Sequence, residues 1–179
     1  MTVKRFYETF HPDHYDLFIE INRTNKTIAG TSAITGVAQE PEVLINQKFM
    51  SIASVTADDQ AVDYTVDDKA EAIKIALGRT GKVTLKIAYS APLTDTMMGI
   101  YPSYYELNGE KKQIIGTQFE TTFARQAFPS LDEPEAKATF SLALKYDEQP
   151  GETTIANMPE NHVTDIRKRP IKEQLGHLA

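Results

Sequence analysis

Cysteine is absent from this chain of 179 residues. That excludes a disulfide framework, a thiolate zinc site and a cysteine nucleophile. Long apolar runs are missing too: nothing approaches the roughly 18 residues that a membrane-crossing helix needs. Positive charge is scarce, with 19 Lys and Arg against 25 Asp and Glu and a formal net charge of −6, which speaks against a nucleic-acid surface. Lys4 and Arg5 near the start are followed by no apolar stretch, so no secretory leader is read and a soluble cytoplasmic protein is expected. Asn22-Arg-Thr24 and Asn25-Lys-Thr27 match the glycosylation sequon, and without a leader they read as turn composition. No internal repeat, low-complexity stretch or linker divides the chain. His-Glu-x-x-His, Gly-x-Ser-x-Gly, the Walker A loop and the dinucleotide fingerprint do not occur.

What is present is alternation with period two. Tyr15, Leu17, Ile19 and Ile21 alternate with Asp16, Phe18, Glu20 and Asn22, and Phe18 implies that both faces are partly covered. The same pattern runs through Val62–Val66, Ile73–Leu77, Val83–Tyr89 and Phe140–Tyr146, and a strand is expected around Thr27–Val37. The Gly78-x-x-Gly81 spacing suggests a short hairpin loop. Helix signals are few: one turn at Thr121–Gln126, and a short helix over Pro170–Leu178 with proline in its first turn. The expected fold is therefore all-β, a saddle-like sandwich of antiparallel and mixed strands, with a short C-terminal helix. Residues 1–160 form the domain, and 161–179, with Arg167, Lys168 and Arg169, form a divergent tail.

The stretch from Met97 to Pro134 reads as long and irregular, which in a compact β domain points to function or to a self-packed loop. Within it Gln118 and Glu120 stand two apart and project to one face of an extended backbone. A carboxylate beside a primary amide can take an ammonium group and a neighbouring carbonyl or amide. Arg125 with Asp132, Glu133 and Pro134 reads as an ion-pair cluster that pins the loop. His11-Pro-Asp-His14 offers two ligands where catalytic zinc needs three and an open position. The other histidines, His162 and His177, lie in the tail. No metal site is read, and Ser130 is not read as a nucleophile.

Several motifs in order carry a resemblance. Gly99-Ile-Tyr101 with Ser103 and Tyr104 is followed by Thr117-Gln118-Phe119-Glu120, Ala124-Arg125 and Ala127-Phe128-Pro129. Asp132-Glu133-Pro134 with Lys137-Ala138 and Phe140 comes next, then Ala156-Asn157-Met158-Pro159. Across roughly residues 8–160 the chain resembles the N-terminal β domain of the zinc aminopeptidases of the aminopeptidase N type. The resemblance implies a saddle-shaped β domain packed on a thermolysin-like catalytic domain, which carries the zinc helix and a Gly-Ala-Met-Glu-Asn motif. It implies that Glu120 helps hold the substrate's α-amine, that Gln118 lines the first substrate pocket, and that Arg125 and Asp132–Pro134 are architectural.

The family usually has cysteine where Ser130 stands, a near-isosteric exchange with no functional change expected. The zinc ligands, the general base and the second amine-binding glutamate are not in this sequence, so no cofactor of its own and no activity alone are expected. The function implied is substrate-amine recognition for a zinc aminopeptidase that releases N-terminal residues from peptides. The alternative is a free-standing, non-catalytic β module for binding or assembly. Expected partners are a peptide N-terminus, the missing catalytic domain and, through an exposed edge or an apolar face around Ile100, Tyr101, Tyr104, Phe119 and Phe123, a second copy, with no nucleic acid and no membrane.

Overall fold

A computed structural model describes residues 5–160 and 162–163, and the backbone of 176–178. The long alternating segments become the spine of one mixed sheet. Strands β1 (Phe10–Asn22), β2 (Thr27–Ala38), β4 (Ser51–Ala57), β5 (Gln60–Ala61), β8 (Gly81–Pro92), β11 (Thr139–Tyr146) and β12 (Gly176–Leu178) order as β12-β11-β1-β2-β8-β4-β5. All of these pairings are antiparallel except β1 with β11, which is parallel with Tyr15 opposite Phe140 and Leu17 opposite Leu142. A second sheet holds β3 (Glu42–Asn46), β7 (Ala72–Ala76) and β6 (Tyr64–Asp67) in the order β3-β7-β6.

The two sheets share one core, which makes the fold an all-β sandwich. Leu17, Ile19, Ile34, Leu85 and Ile87 of the large sheet cluster with Val43, Ile45, Ile73 and Ile75 of the small one, all of them buried. Each such side chain contributes about 1.5–3 kcal/mol through removal from water. Gly30 of β2 lets that strand lie close against β1: a Cβ there would meet the Phe18 carbonyl oxygen at 2.1 Å.

Several features differ from the sequence-based expectation. Gly78 and Gly81 do not close a hairpin. They carry the chain from β7 in the small sheet to β8 in the large one, and the Leu77 and Gly78 N–H groups donate to the Pro41 carbonyl at 2.8 and 3.0 Å. Strands β3 and β4 were not expected from the alternation. Nor is 97–134 irregular throughout, since β9 (Gly99–Leu107) and β10 (Glu110–Gln118) form a separate two-stranded ribbon. Its turn is Asn108-Gly109, both at positive φ (54° and 80°), the backbone that this pair adopts most readily. Of the helix expected over 170–178, residues 170–175 lie outside the described ones, as does most of the tail, and Gly176–Leu178 run as strand β12 against β11.

Candidate functional site

The ribbon delivers its last residue, Gln118, to the start of a loop that spans 119–134. The loop is aromatic where it touches the core. Phe119 meets Phe128 edge-on at 5.8 Å, and Phe128 meets both Tyr15 and Phe140 at 6.4 Å. Phe119 is partly buried against the core, while its neighbours Gln118 and Glu120 are exposed. Neither of these two polar side chains makes a hydrogen bond or ion pair with the described residues. They flank an anchored ring in the sequence, and both are open to an incoming group.

Behind them the loop is held by side chains from the sheets, which bond to its backbone. Tyr89 donates its hydroxyl proton to the Ala127 carbonyl at 2.9 Å, and Ser32 donates to the Pro129 carbonyl at 2.9 Å. The Leu131 N–H donates to the Tyr15 hydroxyl oxygen at 3.0 Å. Burial pushes both tyrosine phenols well above their ordinary pKa, so they stay protonated. Asn46 and Ser130 exchange both backbone bonds, and the Asp132 N–H donates to Asn46 Oδ1 at 3.0 Å. A loop without regular structure thus has its backbone groups satisfied one by one, the condition for burying it. A 3₁₀ turn at Ala124–Gln126 lies within the turn expected at Thr121–Gln126.

Arg125 closes the arrangement. Its Nε donates to Asp132 Oδ2 at 3.0 Å, its Nη2 to the Asp132 carbonyl at 3.1 Å, and its Nη1 to Glu71 Oε2 at 3.1 Å. Glu133 turns the other way, accepting the Phe6 N–H at 2.6 Å and the Tyr7 N–H at 3.3 Å, with Arg5 beside it. The structure therefore separates the Asp-Glu-Pro motif: Asp132 holds Arg125, and Glu133 holds the segment before β1. Glu71, from the turn before β7, carried no signal in the sequence. Burial alone would raise its carboxyl, but the Lys48 ammonium and the Arg125 guanidinium override that and hold it below the ordinary range.

The apolar surface differs from the one expected. Ile100, in the first part of ribbon strand β9, is buried at 4% exposure, and Phe119 packs inward. Tyr104 is exposed as expected, and the other exposed apolar groups near it in sequence are Met97, Met98, Tyr105, Leu107 and Ile114. With Tyr104 they make up six of the eleven large apolar side chains exposed among the described residues, and all six lie on the ribbon or on the residues just before it.

Residues 11–172 match a family model, the Peptidase M1 N-terminal domain. The chain belongs to this family. The aminopeptidase N of Lactobacillus helveticus is 73% identical over 163 residues, which cover 91% of this chain and 19% of that protein. The aminopeptidase N of Lactobacillus delbrueckii subsp. lactis is 64% identical over the same shares. Endoplasmic reticulum aminopeptidase 1 of Rattus norvegicus is 31% identical over 170 residues, 87% of this chain and 18% of that protein. This M1 N-terminal domain thus spans about a fifth of the length of the curated relatives that it matches.

The zinc that the family implies does not fit the residues described here. Among them no group of three or more His, Asp or Glu side chains could hold a metal ion. His11 stacks on Tyr7 at 4.2 Å and faces Gln39 Nε2 at 3.3 Å, while His14 lies between Thr139, Asp16 and Ser141. The two rings are engaged in different contacts and do not converge.

Proposed function

We propose that this M1 N-terminal domain supplies the amine-recognition part of a zinc-dependent aminopeptidase. Glu120 takes the substrate's α-ammonium, and Gln118 lines the pocket for the first side chain. The observation that carries the reading is that these two side chains are exposed and uncommitted, next in sequence to a ring packed against the core. A carboxylate held in this way waits for a cation, and an amide beside it can turn donor or acceptor toward a peptide group. Metal-assisted hydrolysis belongs to sequence beyond these residues. The remainder of a protein of the relatives' length covers the apolar ribbon. In its absence a second copy does so, giving a dimer by sedimentation equilibrium.

The test is an exchange. The matching region of the Lactobacillus helveticus relative is replaced by residues 8–160 of this chain, and turnover of peptides is compared with and without Glu120→Ala. Truncating one partner of a desolvated charge pair costs about 2–5 kcal/mol. The expected result is a fall in kcat/KM of about 30-fold or more, borne mainly by KM. Unchanged kcat/KM would remove Glu120 from the site.

A further inference from the structure

Between the aromatic anchors Phe119 and Phe128, the loop is tied by Arg125 to a part of the molecule that no sequence motif marks. Lys48 donates its backbone N–H to the Arg125 carbonyl at 2.7 Å and its ammonium to Glu71 Oε1 at 2.5 Å. Arg125 Nη1 reaches the other oxygen of the same carboxylate at 3.1 Å. Lys48, Glu71 and Arg125 therefore form a closed ring, with one carboxylate bridging two cations. Glu71 is itself fixed. Its carbonyl accepts the N–H of buried Gln47 at 2.9 Å, and its φ of +52° lies in the left-handed region that glutamate rarely enters.

The ring sits at the rim. Glu71 is 29% exposed and Lys48 is 31% exposed, against 15% for Arg125. Ion pairs so placed add little to global stability. What the ring does instead is bind the Arg125 end of the loop to two turns of the sandwich. Phe123 donates its N–H to the Phe119 carbonyl at 2.9 Å, so Glu120 lies in a short arc closed on one side by Phe119 and on the other by the Arg125 turn. Without the Glu71 carboxylate, the Arg125 side chain keeps only its bonds to Asp132, which lies in the same loop, and loses its side-chain tie to the sandwich.

We propose that Glu71 is a positioning residue, which with Lys48 holds Arg125 and thereby fixes where Glu120 stands. The proposal rests on the reading of Glu120 as the amine-binding group, and it places part of that group's precision 49 positions upstream, on the turn between β6 and β7.

The experiment uses the whole 179-residue chain and Glu71→Gln, which keeps shape and removes charge. Amide hydrogen exchange is followed by NMR. Exchange at Lys48, Phe123 and Gln126 is expected to quicken about tenfold or more, while Leu17, Ile34 and Leu85 in the large sheet quicken only by the small loss of global stability. Rates at Phe123 and Gln126 within about twofold of the parent chain would overturn the proposal, as would equal acceleration of every amide, which marks a merely structural role. Lys48→Met is the second variant and should loosen the same three amides. In the exchange protein, Glu71→Gln should raise KM with kcat nearly unchanged, and should add nothing once Glu120→Ala is present. If Glu120→Ala is silent there, the amine reading falls, while the exchange rates still decide whether Glu71 positions the loop.

Discussion

The hydroxyl oxygen of Tyr15 accepts the backbone N–H of Leu131 at 3.0 Å, across 116 positions of sequence. It is the point where the first long strand supports the loop that carries the candidate site. Tyr15 is 1% exposed, and its ring stacks on Phe140 at 4.8 Å, so no water reaches the bond. Tyr15→Phe keeps the stack and orphans the Leu131 N–H. A buried donor left unpaired costs about 1–3 kcal/mol. Urea unfolding should show a loss of that size, and a loss below about 0.3 kcal/mol would mean that the loop settles elsewhere.

Ser130 gives the opposite sign. It is 4% exposed and its backbone pairs with Asn46, yet its Oγ has no hydrogen-bond partner. An unsatisfied buried hydroxyl is costly. Ser130→Ala is expected to stabilise the chain by about 1 kcal/mol. Ser130→Cys should do the same, because a free cysteine packs as a small hydrophobe. Lower midpoints for both variants would show that the hydroxyl is satisfied in solution.

Gly30 leaves no room for a side chain. A Cβ would stand 2.1 Å from the Phe18 carbonyl oxygen, and backbone on that side cannot move without breaking the β1–β2 ladder. Gly30→Ala should cost about 3 kcal/mol or more, at the severe end for a single substitution. Far-UV circular dichroism with thermal unfolding measures it, and a parent-like midpoint would mean that the strands separate more easily than the pairing suggests.

Acid should act through Glu71. Its folded-state pKa lies below the ordinary 4.5, with Lys48 and Arg125 as the facing cations. A depressed carboxyl contributes stability that is fully present above its unfolded pKa and lost as pH falls through the folded one. The parent chain should therefore exceed Glu71→Gln in stability at pH 7, with the gap closing below about pH 4.5. A gap that stays constant down to pH 3 would rule out the ion pairs as its source.

The isolated chain should bind amines weakly. Glu120 is exposed, and an exposed carboxylate–ammonium contact is worth about 0–1 kcal/mol. Millimolar affinity needs about 4 kcal/mol. A dipeptide titrated by NMR should give no saturation below millimolar concentration. Submillimolar binding abolished by Glu120→Ala would reveal a pocket already formed in this domain.

Strands β1 and β8 were legible because one face is buried and the other more open, so alternation is written into Tyr15–Ile21 and Val83–Tyr89. In β11 the alternation marked a strand but not its buried face, since Ser141 and Ala143 are buried while Leu144 is exposed. Strand β4, Ser51–Ala57, was not, since Ser51, Ala53, Ser54 and Ala57 carry too little contrast to mark a face. The ribbon was missed for a different reason. Tyr104, Tyr105 and Glu106 are consecutive and exposed, so no side is written as interior. Its one strong local signal was Asn108-Gly109, the most dependable hairpin dipeptide. Gln118, Glu120, Arg125 and Asp132 could be picked out as residues. Their support could not, because Tyr15, Tyr89, Asn46 and Glu71 act through partners tens of positions away, and a sequence read locally holds no trace of such distances.

The parallel pairing of β1 with β11 has a consequence for how the molecule is made. One flank of β1 has no neighbour until Thr139–Tyr146 exist, since β2 occupies only the other flank. During synthesis at about 5–20 residues per second, that flank stays bare for roughly ten seconds while the intervening chain emerges. The nascent polypeptide must therefore complete its largest sheet late and in one long-range step, and until then the bare flank of β1 is the place where a chaperone or another nascent chain can attach.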